Sequence, residues 1–191
     1  MNKNSIYKYY YYLAAINLVT ICSTIWIADR IHNIYTETIK ASQEWNHRIS
    51  LHEELETIII HGNGPGNNIF ISNNLEFEKK NFDTILINFD KKIDEIEVDN
   101  LNFKNNDEVI INISKLKELV QIATSSTFQI FDYYKKNDIP KASFYMAKMD
   151  ESFHLAILKT IEIRKILRNL KNKELIKRQK KLVTYISKKY H

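Results

Sequence analysis

Six histidines, one cysteine and 23 Asp and Glu residues are the side chains with which this 191-residue chain could bind a metal or move protons. His52 and Glu56 stand four apart, which places both on one face of a helix. Two ligands are only half of a zinc site, and His52 also falls on an apolar stripe, so a hydrogen-bonded core or interface histidine is the simpler expectation. His47 is five residues from His52 and lies on a different helical face. His154, beside Phe153, could suggest a phosphoacceptor on a bundle, but it lacks a recognisable acidic and basic flank. The lone Cys22 excludes a disulfide within the chain and a cysteine-based zinc site. Gly62-Asn63-Gly64-Pro65-Gly66 has neither the Gly-Lys-Ser/Thr close of a phosphate loop nor a strand before it. Met146 and Met149 share a face and read as core fillers. No nucleophile–base or acid–base set emerges, so the expectation is no enzyme, no cofactor and no metal.

The elements that carry these residues are helices. Three glycines and two prolines in 191 residues leave few places for loops. All three glycines and Pro65 fall between residues 62 and 66. Gly tolerates positive φ and Pro cannot donate a backbone hydrogen bond, so this block is expected to end one helix and turn the chain. Residues 9–28 carry no charge, the length an α-helix needs to cross a hydrocarbon core of about 30 Å. Tyr9 to Tyr12 stand at one end and Trp26 at the other, as interfacial aromatics would. The run is long for a cleaved signal peptide and no clear small-x-small site precedes Asp29, so an uncleaved anchor is expected. Lys3 and Lys8 before the span favour a cytoplasmic N-terminus by a small margin.

After the span, Ile34, Ala41, Trp45, Ile49, His52 and Ile59 fall near one stripe of a first helix, expected to continue the membrane helix without a break. Leu75, Phe82, Leu86, Phe89, Ile93 and Ile96 mark a second helix, and an Asn-rich stretch over 99–107 a turn. Val109, Ile113, Leu116, Val120, Ala123, Thr127, Ile130 and Tyr134 alternate steps of three and four in a third. Lys135-Lys136-Asn137-Asp138 breaks it, and Pro140 suits the first turn of a fourth. There the seam is Ala142, Met146, Met149, Phe153, Ala156, Thr160, Ile163, Leu167 and Leu170.

The economical fold is all-α: an N-terminal transmembrane helix continuous with an antiparallel four-helix bundle. The expected parts are a cytoplasmic N-terminus (1–8), a span (9–28), the bundle (29–170) and a basic helical tail (171–191). A first helix ending near residue 61 extends about 50 Å beyond the membrane, and a fourth helix of about 50 residues overhangs it.

The formal net charge of +5 is uneven. Residues 164–191 hold eleven Lys or Arg against the single acid Glu174. Spread around all faces of a helix, such a run fits a solvated or lipid-facing tail better than a nucleic-acid surface, so membrane lipid is the expected partner and nucleic acid is not.

Two segments resemble a known family. Pro65-Gly66-Asn67-Asn68-Ile69-Phe70-Ile71-Ser72, with Glu76 or Glu78 soon after, resembles the Pro-Gly-Asn-x-x-Phe-x-Ser signature of the extracytoplasmic input region of certain bacterial membrane receptors. These are mostly sensor histidine kinases, with chemoreceptor-like relatives. About sixty residues later, Ile130-Phe131, then Tyr133-Tyr134-Lys135-Lys136-Asn137-Asp138 and Met146-Ala147-Lys148-Met149-Asp150, are similar to that family's Phe–basic–Asp turn and Met-Ala-x-Met-Asp helix start. The resemblance implies a periplasmic helical sensor module between two spans, with kinase or other output domains inside. No second span, phosphoacceptor helix or nucleotide-binding domain precedes His191, so a truncated receptor, a fragment or a free-standing input module acting through partners is expected.

The candidate binding or structural loop is Pro65, Gly66, Asn67, Asn68, Phe70 and Ser72, with Asn67 and Asn68 as polar groups and Phe70 as an apolar plug. Met146, Ala147, Met149 and Asp150 form the second motif. The competing expectation is a membrane-anchored structural or interaction bundle. It would form a homodimer or dock an envelope protein through a helix face, with Thr38, Ser42 and His52 on the softer seam of helix one.

Overall fold

The computed structural model describes residues 3–101, 103 and 107–187, with side chains described over 7–101, 103 and 107–180. Its elements are four helices: α1 (Lys3–Ser72), α2 (Leu75–Leu101), α3 (Asp107–Lys135) and α4 (Ile139–Ser187). No strand occurs among the described residues. The chain is all-α, as its periodicity predicts. It divides into two compact units, residues 44–171 and the flanking 1–43 with 172–191.

The larger unit is an antiparallel bundle, and its ion pairs record the register. Glu54 on α1 meets Lys92 on α2 at 2.7 Å, and Arg48 meets Asp99 at 2.8 Å. Glu97 on α2 meets Lys117 on α3 at 2.9 Å, and Lys159 on α4 donates to Asn112 on α3 at 3.2 Å. Lys171 on α4 donates to Asn46 on α1 at 2.7 Å. The apolar seams lie inside as the three-and-four spacing requires. Leu55, Ile59 and Ile69 from α1 join Phe82 and Ile96 from α2, Leu116, Ile130 and Phe131 from α3, and Met149, Ile163 and Leu167 from α4. Every predicted seam residue of α3 is buried except Tyr134, which packs half-buried on the same core.

The turn expected at residues 62–72 is not there: α1 passes through it to Ser72, with Pro65 inside the helix. None of the glycines takes a positive φ. They are small rather than bent. A Cβ at Gly62 would come within 2.8 Å of the Phe153 ring, and one at Gly66 would collide with the Met149 thioether. The notch they leave lets α4 press its side chains against the α1 backbone, and that packing offsets the poor helix propensity of Gly and Pro. The corner falls two residues later. Asn73 adopts φ 52°, and its N–H donates to the Ile69 carbonyl at 3.1 Å, an αL cap. Asn74 then caps α2, its Oδ1 accepting from the Phe77 N–H at 3.1 Å.

The turn after α3 falls where its sequence places it. Asn137 has φ 58°; its N–H donates to Tyr134 and the Asp138 N–H to Tyr133, a Schellman closure. Asp138 Oδ1 accepts from the Lys141 N–H at 3.3 Å and starts α4. Of the turn expected over 99–107, residues 102 and 104–106 lie outside the described residues; Phe103 packs edge-on to Trp45 at 4.8 Å.

With its later end, α1 runs for about 44 residues past Ala28, roughly 66 Å at the helical rise. Helix α4 has 49 residues, so the length mismatch expected between the two nearly closes.

The smaller unit contains the one stretch among the described residues long and apolar enough to cross a membrane. Its large apolar side chains, among them Leu13, Ile16, Leu18, Val19, Ile21 and Ile25, are exposed on every face. Thr20 and Thr24 return their hydroxyls to the carbonyls four residues earlier, at 2.9 Å each, so these polar groups need no water. In the same unit, Arg178 on α4 pairs with Glu174 one turn earlier.

Candidate functional site

The two segments that carry the family resemblance meet in space. Asn67 Nδ2 donates to Asp150 Oδ1 at 3.0 Å across 83 residues of sequence, and to the Asn63 carbonyl at 3.2 Å. One residue before each partner, Gly66 lies against Met149. Pro65 and Gly66 are buried, and Ile69, one turn on, is fully enclosed. The motif therefore works as a helix-packing surface. Glycine admits the Met149 side chain, and Asn67 ties the same level of α1 to α4.

Phe70 is half-buried on the core and meets Tyr134 edge-on, with ring centroids 5.7 Å apart. Tyr134 in turn donates its hydroxyl to Asn73 Oδ1 at 2.6 Å, bridging the end of α3 to the α1–α2 corner. Ser72 Oγ accepts from the Asn74 N–H at 3.3 Å within that corner. Asn68 and Ala147 are exposed and stand apart from the Asn67–Asp150 contact. Met146 packs partly buried on the core. The segment 146–150 is not a helix start, because α4 begins at Ile139 and is already two turns long there. Asp138 caps α4.

Comparison of the chain with models of protein families, with curated proteins and with solved structures gave no match. The site must be read from its own chemistry.

A second polar level, about three turns earlier on α1, joins α1 to α4. Glu56 accepts from both Arg164 and the Thr160 hydroxyl, the latter at 3.1 Å. Glu53 accepts from Arg164 at 3.4 Å and from Arg168 at 3.3 Å. His52, 3% exposed, lies beside this network; its Nδ1 and Arg164 Nε are buried with no protein partner. Burial, and then the Arg164 charge, lower the His52 pKa to about 4. Glu56 is held by Arg164, and the nearby His52 Nδ1 has no protein partner. No group of three or more His, Cys, Asp or Glu among the described residues is placed to hold a metal.

Sequence reasoning placed Thr160 on the α4 seam and His52 on the α1 stripe but did not bring them together. The available signal was the matching of Glu53 and Glu56, three apart, with Thr160, Arg164 and Arg168 at steps of four. Glu78 was also passed over as more than a motif neighbour. It occupies the α2 seam position before Phe82, is 2% exposed, and keeps Oε2 buried without a partner.

Proposed function

We propose that this chain is a membrane-anchored input module of a bacterial signal-transduction receptor, of the kind that precedes a histidine kinase or a chemoreceptor-like output. In this reading the apolar stretch of α1 spans the cytoplasmic membrane with its N-terminus inside. Residues 44–171 form a periplasmic four-helix sensor unit. The observation that carries the reading is the Asn67–Asp150 hydrogen bond beside the Gly66–Met149 contact. The two segments resembling the receptor signature are partners in one helix-packing contact.

Reporter fusions test the topology. Alkaline phosphatase joined after Lys171 should be active, and a cytoplasm-dependent fluorescent protein at the same point dark. The reverse pattern would remove the periplasmic sensor reading. A chimaera placing this chain ahead of the second span and kinase core of a characterised receptor tests the signalling role. Kinase output that responds neither to the graft nor to Asn67→Ala within it would count against an input function.

A second reading is favoured by one observation. Ile60 and Ile71 on α1 and Phe77 and Ile87 on the neighbouring α2 are large, apolar and exposed. A membrane-anchored interaction protein would use such a face to pair with itself or with an envelope protein. Crosslinking through cysteines at Ile60 and Ile87 that persists at low concentration would favour it, and monomers throughout would remove it.

A further inference from the structure

We propose that an exposed lysine face of α4 binds the headgroups of anionic phospholipids beside the membrane span. The inference rests only on the anchored part of the receptor reading, and holds for either face of the membrane and for any output. The smaller unit supplies the geometry. It joins residues 172–187 of α4 to the stretch of α1 that leaves the apolar run. Ala41 on α1 is buried there, and Ile34, Thr38 and, on α4, Leu175 are half-buried. From the edge of this unit α1 has fifteen residues to Asp29 and α4 sixteen to Ser187, about 22 and 24 Å at the helical rise. Helix α4 at Ser187 is therefore level with the end of the apolar run.

Charge is divided unevenly between the two helices of this unit. On α1 past the run, Asp29 and Glu37 balance Arg30 and Lys40. On α4, Glu174 is taken up by Arg178 at 2.6 Å. Lys173, Lys177 and Lys180 remain, exposed at steps of four and three on one face, with no ion pair or hydrogen bond to a described residue. The sequence adds Lys181, Lys188 and Lys189. Each ammonium has three donors and no acceptor, so the face is complementary to a layer of anions. A single free phosphate cannot serve it, because the three lysines are spread over about 10 Å of helix. The apolar run, an independent feature of the same unit, sets where an anionic layer lies. Lipid phosphates occupy the roughly 5–8 Å of headgroup at the edge of a hydrocarbon core. Lys180, Lys177 and Lys173 stand about 10, 15 and 21 Å along the helix from Ser187. The field of a charged surface fades within a Debye length, about 10 Å at 0.1 M salt and 30 Å at 0.01 M. Lys180 is thus held at 0.1 M, and Lys173 joins only in dilute salt.

The test uses the full chain in nanodiscs of phosphatidylcholine alone or of phosphatidylcholine with an equal part of phosphatidylglycerol. Lysines are pulse-acetylated with an N-hydroxysuccinimide ester, and the rate at each is read by mass spectrometry. Contact with phosphate keeps an amine protonated and unreactive. At 0.1 M salt, Lys180 should react about threefold or more slowly in the anionic discs, Lys177 less so and Lys173 least. Exposed Lys80 and Lys135 of the larger unit are the internal reference and should react alike in both discs. At 1 M salt, where the Debye length is about 3 Å, the difference should vanish. Equal rates at Lys180 in the two discs, slowing shared by Lys80 and Lys135, or protection that survives 1 M salt would overturn the proposal. So would protection in phosphatidylcholine discs on adding inorganic phosphate, which would mark a free-anion site instead. A chain that does not enter the discs would remove the anchored reading and this inference with it; a chain that enters with its α4 lysines unprotected would remove this inference alone.

Discussion

His52 makes the stability of the bundle depend on pH in a defined window. Its ordinary pKa of 6.5 is lowered to about 4 in the fold, first by burial and second by Arg164. The unfolded chain therefore takes up a proton as pH falls through 6.5, while the folded chain refuses it until about pH 4. A depressed folded pKa means that the contribution is fully present above 6.5 and is lost as pH falls toward 4, levelling off below. At 1.36 kcal/mol per unit, the full loss from this one group is about 3 kcal/mol. That is a large fraction of the 5–15 kcal/mol or so by which domains are stable.

Urea unfolding of the full chain in detergent micelles, followed by circular dichroism between pH 7.5 and 4, reads this directly. Glu54, Asp138 and Glu162 are held low chiefly by hydrogen bonds from Lys92, Lys141 and Lys159, and each adds acid sensitivity of its own. Those terms are shared with a His52→Gln variant, which keeps a polar side chain of similar size but cannot titrate. The wild type should lose about 3 kcal/mol more than the variant across the window. Parallel curves for the two proteins would refute the assignment of that sensitivity to His52.

Three further outcomes are expected. Gly62→Ala should cost about 1–3 kcal/mol despite alanine's better helix propensity, because its Cβ meets the Phe153 ring; a stabilised variant in a urea melt would contradict the notch. A double-mutant cycle of Asn67→Ala and Asp150→Ala should give a coupling of about 0.5–1.5 kcal/mol, and additive losses would show that the hydrogen bond contributes nothing. At the two left-handed asparagines, Asn137→Gly should be neutral or slightly stabilising in thermal melts. Asn73→Gly should lose about 1 kcal/mol instead, since it also discards the acceptor of the Tyr134 hydroxyl.

The apolar periodicity of Val109 to Ile130 and of Ala142 to Leu167 was enough to place α3, α4 and their buried faces, because burial repeats at the helical period whatever the partner. The apolar run before Asp29 was legible through length and composition alone. The glycine block was misread because Gly and Pro have a strong local preference and their true role is non-local. Nothing in residues 62–66 announces that Phe153 and Met149 press on them. The stop that does exist, Asn73-Asn74, uses a left-handed asparagine and a cap rather than the residues with the strongest breaking propensity. Glu56, Thr160 and Arg164 were each visible, but their network depends on the α1–α4 register, which single-helix patterns do not contain.

The paired notch also sets how these two helices can be displaced against each other. Gly62 and Gly66 are one turn apart on α1, and the side chains they admit, Phe153 and Met149, are one turn apart on α4. A slide of a fraction of a turn drives both side chains out of their recesses and into backbone at once. A slide of a whole turn returns Phe153 to a recess, at Gly66. The contact thus behaves as a mechanical detent. It is stiff to small axial loads and has stops about 5.4 Å apart.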